Sequence, residues 1–256
     1  MPTILLTGSS ADYAPVVDPI RTSDSSCTLL SIDPEGENSH DGIDALTSWD
    51  DLPEVVDGVI VVAPRNDGTL ESALAGVMET DRLHRVPLFL VVPFITATEV
   101  SAMLENLMPV WSLGAIGGFH DLSTSIEAAP ALQMLDDQRK NGSELLTHLY
   151  KGELLLVEDR VGLVSLRIIA MVVNEASFAL LEKVAGAGDI DTAMTLGTGY
   201  PHGPLAWCDT IGADIIVDLL HALQDEYGEE RYRPSVLLKQ YLRADLPFHR
   251  TESVDQ

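Results

Sequence analysis

The chain has 256 residues, 46% of them hydrophobic, which is enough for one large core or two moderate ones and excludes a disordered chain. Its 40 acidic residues against 15 basic ones leave a formal net charge of -25, so a nucleic-acid backbone or an anionic membrane surface would be repelled. Two cysteines, Cys27 and Cys208, stand in different halves without metal-ligand spacing, which argues against a disulfide framework and a zinc site. No charged-then-apolar leader opens the chain, and no apolar run nears the roughly 18 residues needed to span a bilayer. The expectation is a soluble cytoplasmic protein with no nucleic-acid or membrane partner and no metal. Its acidity suits either a high-salt interior or simply a well-solvated surface.

In chain order, the first half alternates two kinds of segment. TILLTG (3 to 8), CTLLSID (27 to 33), GVIVVAP (58 to 64), PLFLVVP (87 to 93) and SLGAIGG (112 to 118) are short, apolar and rich in Val, Ile and Leu, as strands buried on both faces are. Between them, 69 to 85 and 96 to 108 have helical patterning, with Thr69 and Thr96 as candidate caps. This rhythm predicts a parallel α/β sheet. Ligands in such sheets bind beyond the carboxyl ends of the strands, so the loops after Gly8, Asp33, Pro64 and Pro93 and the turn around His120 are expected to share one edge.

After LLLVEDR (154 to 160) the character changes. Residues 162 to 187 read as one long helix, apolar on much of its circumference. Shorter helices follow: 190 to 197 behind a cap at Asp189, 204 to 227, and 234 to 245. The predicted architecture is therefore an α/β domain over 1–157 followed by an all-α domain over 158–256.

The second half contains DIDTAMTLGTGYPHGPLAWCDTIGAD (189 to 214), preceded by NEA (174 to 176) and followed by RYRPS (231 to 235). Its glycines permit tight turns between helices, and Pro204 suits a helix start, where its missing N–H costs nothing. The run resembles the C-terminal domain of 3-hydroxyacyl-CoA dehydrogenases, which carry D-I-D-x-A-M-x-L-G-x-G-x-P-x-G-P before D-x-x-G-x-D. Here those positions are Asp189, Ile190, Asp191, Ala193, Met194, Leu196, Gly197, Gly199, Pro201, Gly203, Pro204, Asp209, Gly212 and Asp214.

The resemblance implies a Rossmann-like NAD-binding domain, then a helical domain of the 6-phosphogluconate dehydrogenase C-terminal-like type that makes a homodimer, with acyl-CoA as ligand. It also implies hydride transfer from C3 of the substrate to nicotinamide while a His, oriented by a Glu, takes the hydroxyl proton. His120, in GGFHDL after a strand, matches the His position, without the F-N-P that follows it in the family. Glu127, in SIEA, is the candidate orienter, seven residues on and closer in sequence than the family's Glu.

Other family positions have changed. Pro93 and Phe94 stand where a Ser is expected, with Thr96 and Thr98 nearby, and Leu166 stands where an Asn hydrogen-bonds the reacting oxygen. Leucine can do neither half of a hydrogen bond, and Ser165 points roughly 100 degrees away on a helix.

The loop after the first strand is the cofactor question. A dinucleotide loop needs glycines for a tight turn, for close approach of the pyrophosphate, and for helix packing. In GSSADYA only Gly8 is kept, with Ser9 beside it, while Ser10 and Tyr13 hold the other glycine positions. Asp12 adds a negative charge, and Pro19 is expected to interrupt the following helix. Asp33, closing the second strand, sits near the family's ribose-binding acid. Two readings follow: an NAD-dependent 3-hydroxyacyl-CoA dehydrogenase with weak NAD affinity, or a non-catalytic relative that binds or assembles.

Overall fold

The computed structural model describes residues 1–23, 26–32, 43–114 and 125–249. These divide into two compact units, one ending at Leu163 and one beginning at Val164.

The first unit is built on a single sheet of β1 (Thr3–Gly8), β2 (Thr28–Ile32), β3 (Asp44–Leu46), β4 (Gly58–Val62), β5 (Leu88–Val91), β6 (Val110–Leu113), β7 (Ser125–Pro130) and β8 (Glu153–Leu156). Strands β4, β5 and β6 are buried along their whole length, as expected for a sheet covered on both faces. The spatial order is β3-β2-β1-β4-β5-β6-β7-β8. Pairing is parallel from β3 to β6; β7 then runs antiparallel to β6 and parallel to β8. The direction of winding reverses between β1 and β4, the position at which open α/β sheets form a ligand crevice.

Helices α1 (Ala14–Thr22), α2 (Thr69–Met78), α3 (Ala97–Met103) and α4 (Asp136–Leu149) connect the strands. Pro19 does not interrupt α1, contrary to expectation. The helix continues through it to Thr22. In so short a helix Pro19 removes one interior N–H, and the buried face of Val16, Val17 and Ile20 keeps the segment helical. The helix expected over 69–85 stops at Met78, and Arg85 with φ +78° could not have continued it. Thr96 caps α3 with a full capping box to Glu99, whereas Thr69 is already the first helical residue behind Gly68. Strands β3, β7 and β8 were not anticipated as strands. β3 is three residues long, with both of its acidic and small side chains exposed, so it has no apolar run to read.

The second unit comprises α5 (Ser165–Leu181), α6 (Ala187–Thr198), α7 (Pro204–Ile211), α8 (Ala213–Tyr227) and α9 (Val236–Ala244). The long helix begins later than expected because Gly162 and Leu163, both with positive φ, form a turn before it, and Lys183 with φ +60° follows its end. The span 204–227 is two helices, broken where Gly212 takes φ +109°. Asp189 lies in the first turn of α6 rather than capping it. No helix among the described residues is long and apolar enough to cross a membrane.

Candidate functional site

Gly8 closes β1 at the reversal point, with φ +103°. A Cβ there would lie 2.3 Å from the Val62 carbonyl oxygen, so the close approach of β1 to β4 itself requires glycine. The next N–H, that of Ser9, donates to the same Val62 oxygen at 2.7 Å. Asp12 N–H donates to the Ser9 carbonyl and Tyr13 N–H to the Ser10 carbonyl, winding the loop into a tight turn ahead of α1. A dinucleotide loop presents such N–H groups to phosphate; here these three are paired with carbonyl groups, one of β4 and two of the loop itself.

The polar side chains of the loop are also engaged. Ser9 Oγ donates to Asp12 Oδ2 at 2.5 Å, and Arg65 Nη1, from the loop after β4, donates to the same oxygen at 2.6 Å. The Asp12 side chain is 23% exposed and that of Arg65 39%. A phosphate group about 4 Å from this carboxylate would meet a repulsion of about 1 kcal/mol per unit charge in water and about 4 kcal/mol at an effective dielectric of 20, with the exposure favouring the lower figure. The Arg65 guanidinium offsets part of that charge, and Ser10 and Tyr13 stand where a dinucleotide loop carries glycines. The ribose-side candidate Asp33 lies outside the described residues, just after β2 ends at Ile32.

Glu127 sits on β7, opposite Gly114 at the end of β6, and the Gly114 N–H donates to the Glu127 carbonyl at 2.9 Å. Its side chain is buried, with Oε2 3.4 Å from where a Gly114 Cβ would stand, and this holds the carboxylate at the carboxyl edge of β6. Because β7 is antiparallel to its neighbour, its first residues reach the same edge as Gly8 and Arg65. His120 lies outside the described residues.

One buried acid was missed by sequence reasoning. Asp159 accepts hydrogen bonds from Ala97 N–H at 3.0 Å, Thr98 N–H at 2.7 Å, Thr98 Oγ1 at 2.6 Å and Ser112 Oγ at 3.4 Å. It therefore satisfies the start of α3 from a distant part of the chain. Of the two hydroxyls near the family's Ser position, Thr98 is committed to this contact and Thr96 to its capping box with Glu99. Only the apolar run before the acid in LLLVEDR hinted that it would be buried.

In the helical unit the signature residues hold helices to one another. Asp191 accepts from the N–H groups of Leu205 and Ala206, each at 2.8 Å, at the start of α7, and its Oδ2 is 2.7 Å from His249 Nε2. Gly203 is required beside it, since a Cβ would stand 2.2 Å from the Asp191 Cβ. Asp209 accepts from the N–H groups of Phe248 and His249. Asn174 of NEA accepts from Ser235 N–H at 2.8 Å and donates to the Arg233 carbonyl at 2.9 Å, joining α5 to the start of α9. Arg167 donates to the hydroxyls of Tyr227 and Tyr232 and lies over both rings. Leu166 is buried in α5, a packing residue where the family has its Asn. Among the described residues no cluster of His, Cys, Asp and Glu could hold a metal ion.

Residues 162–252, which contain these contacts, match the family described as the 3-hydroxyacyl-CoA dehydrogenase C-terminal domain. The helical unit belongs to the 3-hydroxyacyl-CoA dehydrogenase C-terminal domain family. It is 52% identical over 86 residues to the 3-hydroxyadipyl-CoA dehydrogenase of Escherichia coli K12, a match covering 34% of this chain and 18% of that protein. It is 40% identical over 88 residues to a probable 3-hydroxybutyryl-CoA dehydrogenase of Bacillus subtilis, covering 34% and 31%. The matched segments thus span under a third of either relative.

Over the whole fold the chain is similar to the solved (S)-3-hydroxybutyryl-CoA dehydrogenase PaaH1 of Ralstonia eutropha, with TM-score 0.76 and 21% identity over 96% of this chain and 94% of that one. It is similar also to FadB2 of M. tuberculosis, with TM-score 0.81 and 16% identity over 98% of both. At these identities the likeness is one of fold: a Rossmann-type α/β domain followed by an all-α domain.

Proposed function

We propose that this family member acts on a 3-hydroxyacyl-CoA, in the NAD-dependent oxidation at C3 that gives the family its name, with NAD held weakly. The observation that carries this reading is Glu127, a carboxylate kept buried at the carboxyl edge of the sheet. A buried carboxylate is fixed in position and direction by its surroundings, and orienting a histidine base is the role that the resemblance gives this one. His120 is then the base that takes the C3 hydroxyl proton, and Glu127 fixes the tautomer and direction of its ring. Gly8, Ser9 and Asp33 are the cofactor-side positions.

The proposed assembly is a soluble cytoplasmic homodimer through the helical unit. The exposed apolar side chains Ile168, Leu181, Val184 and Leu196 on and around α5 and α6 support it. Light scattering on the purified protein checks the mass.

The test of activity is loss of nicotinamide absorbance when acetoacetyl-CoA and NADH are mixed with the protein. His120→Ala should abolish turnover, and Glu127→Gln should lower it by about 10²-fold. No turnover, with no heat of NADH binding, would refute this reading in favour of a second, which the engaged Ser9–Asp12–Arg65 loop favours: a non-catalytic member that binds a CoA thioester or assembles with an active dehydrogenase. Under that second reading, CoA esters raise the melting temperature while NADH does not.

A further inference from the structure

We infer that Asp12 is an internal anion that occupies the phosphate position of this sheet edge and thereby decides whether the edge accepts a phosphate ligand. The inference rests on the reading of the reversal point as a dinucleotide position, and it deepens that reading.

Three observations carry it. The acid lies beyond β1 and beside the loop after β4, the two strands between which the winding reverses. It is bound there as an anionic ligand would be, by a guanidinium at 2.6 Å and a hydroxyl at 2.5 Å, both on one oxygen. Arginine is the side chain best matched to phosphate, so the group that this edge could offer an incoming phosphate is the group Asp12 already engages. Three of the loop's backbone donors, the N–H groups of Ser9, Asp12 and Tyr13, are already spent on the Val62, Ser9 and Ser10 carbonyls. No acidic residue stands in the first turn of α1, so Asp12 is the one charge on this short loop that opposes a phosphate there.

Removing the charge while keeping the shape should free the site. In Asp12→Asn the amide oxygen still accepts from Ser9 and Arg65, so the turn is preserved, but a neutral oxygen competes poorly with phosphate for a guanidinium. Inorganic pyrophosphate and NADH would be titrated by calorimetry into the full-length wild type, Asp12→Asn, and the double variant Asp12→Asn with Arg65→Ala. Wild type should give no saturable heat with pyrophosphate. Asp12→Asn should bind it at least about tenfold more tightly, and the double variant should lose that gain.

A second replacement, Asp12→Ser, guards against a local effect of the amide, and circular dichroism checks that each variant is folded. Equal pyrophosphate affinity in wild type and folded Asp12→Asn and Asp12→Ser would overturn the inference, as would a gain that survives loss of Arg65. The readout is binding of phosphate rather than turnover. Failure of the dehydrogenase reading therefore leaves the pyrophosphate result intact, and wild-type turnover without any gain in Asp12→Asn would defeat this inference alone.

Discussion

Asp191 and Asp12 are both loop-facing or helix-end acids, and the two units use them in opposite ways. In the helical unit Asp191 accepts two backbone N–H groups at the start of α7, and glycine at 203 makes room for it. The acid joins α6 to the start of α7 within the segment that matches the family's C-terminal domain. In the α/β unit Asp12 engages Arg65 and Ser9 at an edge where the fold leaves space for a ligand. The sheet beneath is retained while the loop is rewritten. Scaffold residues are held by packing, where any change has a cost in stability; loop residues at a ligand edge are held by the ligand, and they are free to change when its demands do.

The contrast can be broken most severely at Gly8. Alanine there faces both φ +103° and a carbonyl oxygen at 2.3 Å, so a loss of about 3 kcal/mol or more is expected, about 6 °C or more in Tm by scanning calorimetry. Gly188→Ala in α6, where a Cβ would meet nothing within 4 Å, is the control and should be neutral or stabilising by up to about 1 kcal/mol. An equal loss at both sites would show that Gly8 has no special role in bringing β1 to β4.

Next in size is Asp159→Ala, which strands the two N–H groups at the start of α3 and two hydroxyls, for an expected loss of about 2 to 4 kcal/mol in denaturant unfolding. Asp191→Ala should cost about 1 to 3 kcal/mol, because part of its site is open to water. If the loss at Asp191 greatly exceeded that at Asp159, the α/β unit would be the less tightly specified of the two even in its core.

The smallest effect concerns the thiols. Burial, with Asp209 and Asp214 nearby, pushes the Cys208 thiol up to about 12 from an ordinary 9, and burial raises that of Cys27 as well. The native state thus holds the Cys208 proton more tightly than the unfolded chain does. Its contribution to stability is complete below about pH 9 and is lost as pH rises toward 12. At pH 8 a thiol-reactive dye should label half-exposed Cys27 well ahead of buried Cys208.

The sequence was most legible where local pattern and tertiary role coincide. The apolar runs of β1, β2, β4 and β5 announced a parallel sheet because strands covered on both faces need continuous apolar side chains. Strand β7 was opaque for the opposite reason: SIEAAP carries its buried acid within the strand, and it pairs antiparallel by virtue of its neighbour. The span 204–227 concealed a break because its periodicity barely changes across Gly212, and only the backbone angle reveals the two helices. Of the candidate site, Gly8, Ser9 and Glu127 fall on one edge of the sheet, whereas His120 and Asp33 lie outside the described residues.

By itself the sequence determined the two-part α/β then all-α architecture and the family of the second part, because strand and helix periods and a glycine-and-proline spacing are properties of neighbouring residues. It also determined that the phosphate loop lacks its glycines. Only the tertiary structure decided what replaced them: that Gly8 serves the approach of β1 to β4, that Asp159 closes α3 from 62 residues away, and that Asp12 is paired with Arg65, 53 residues on. Such pairings depend on which strand ends the sheet order brings together, and that order is set by the whole core rather than by any stretch of chain.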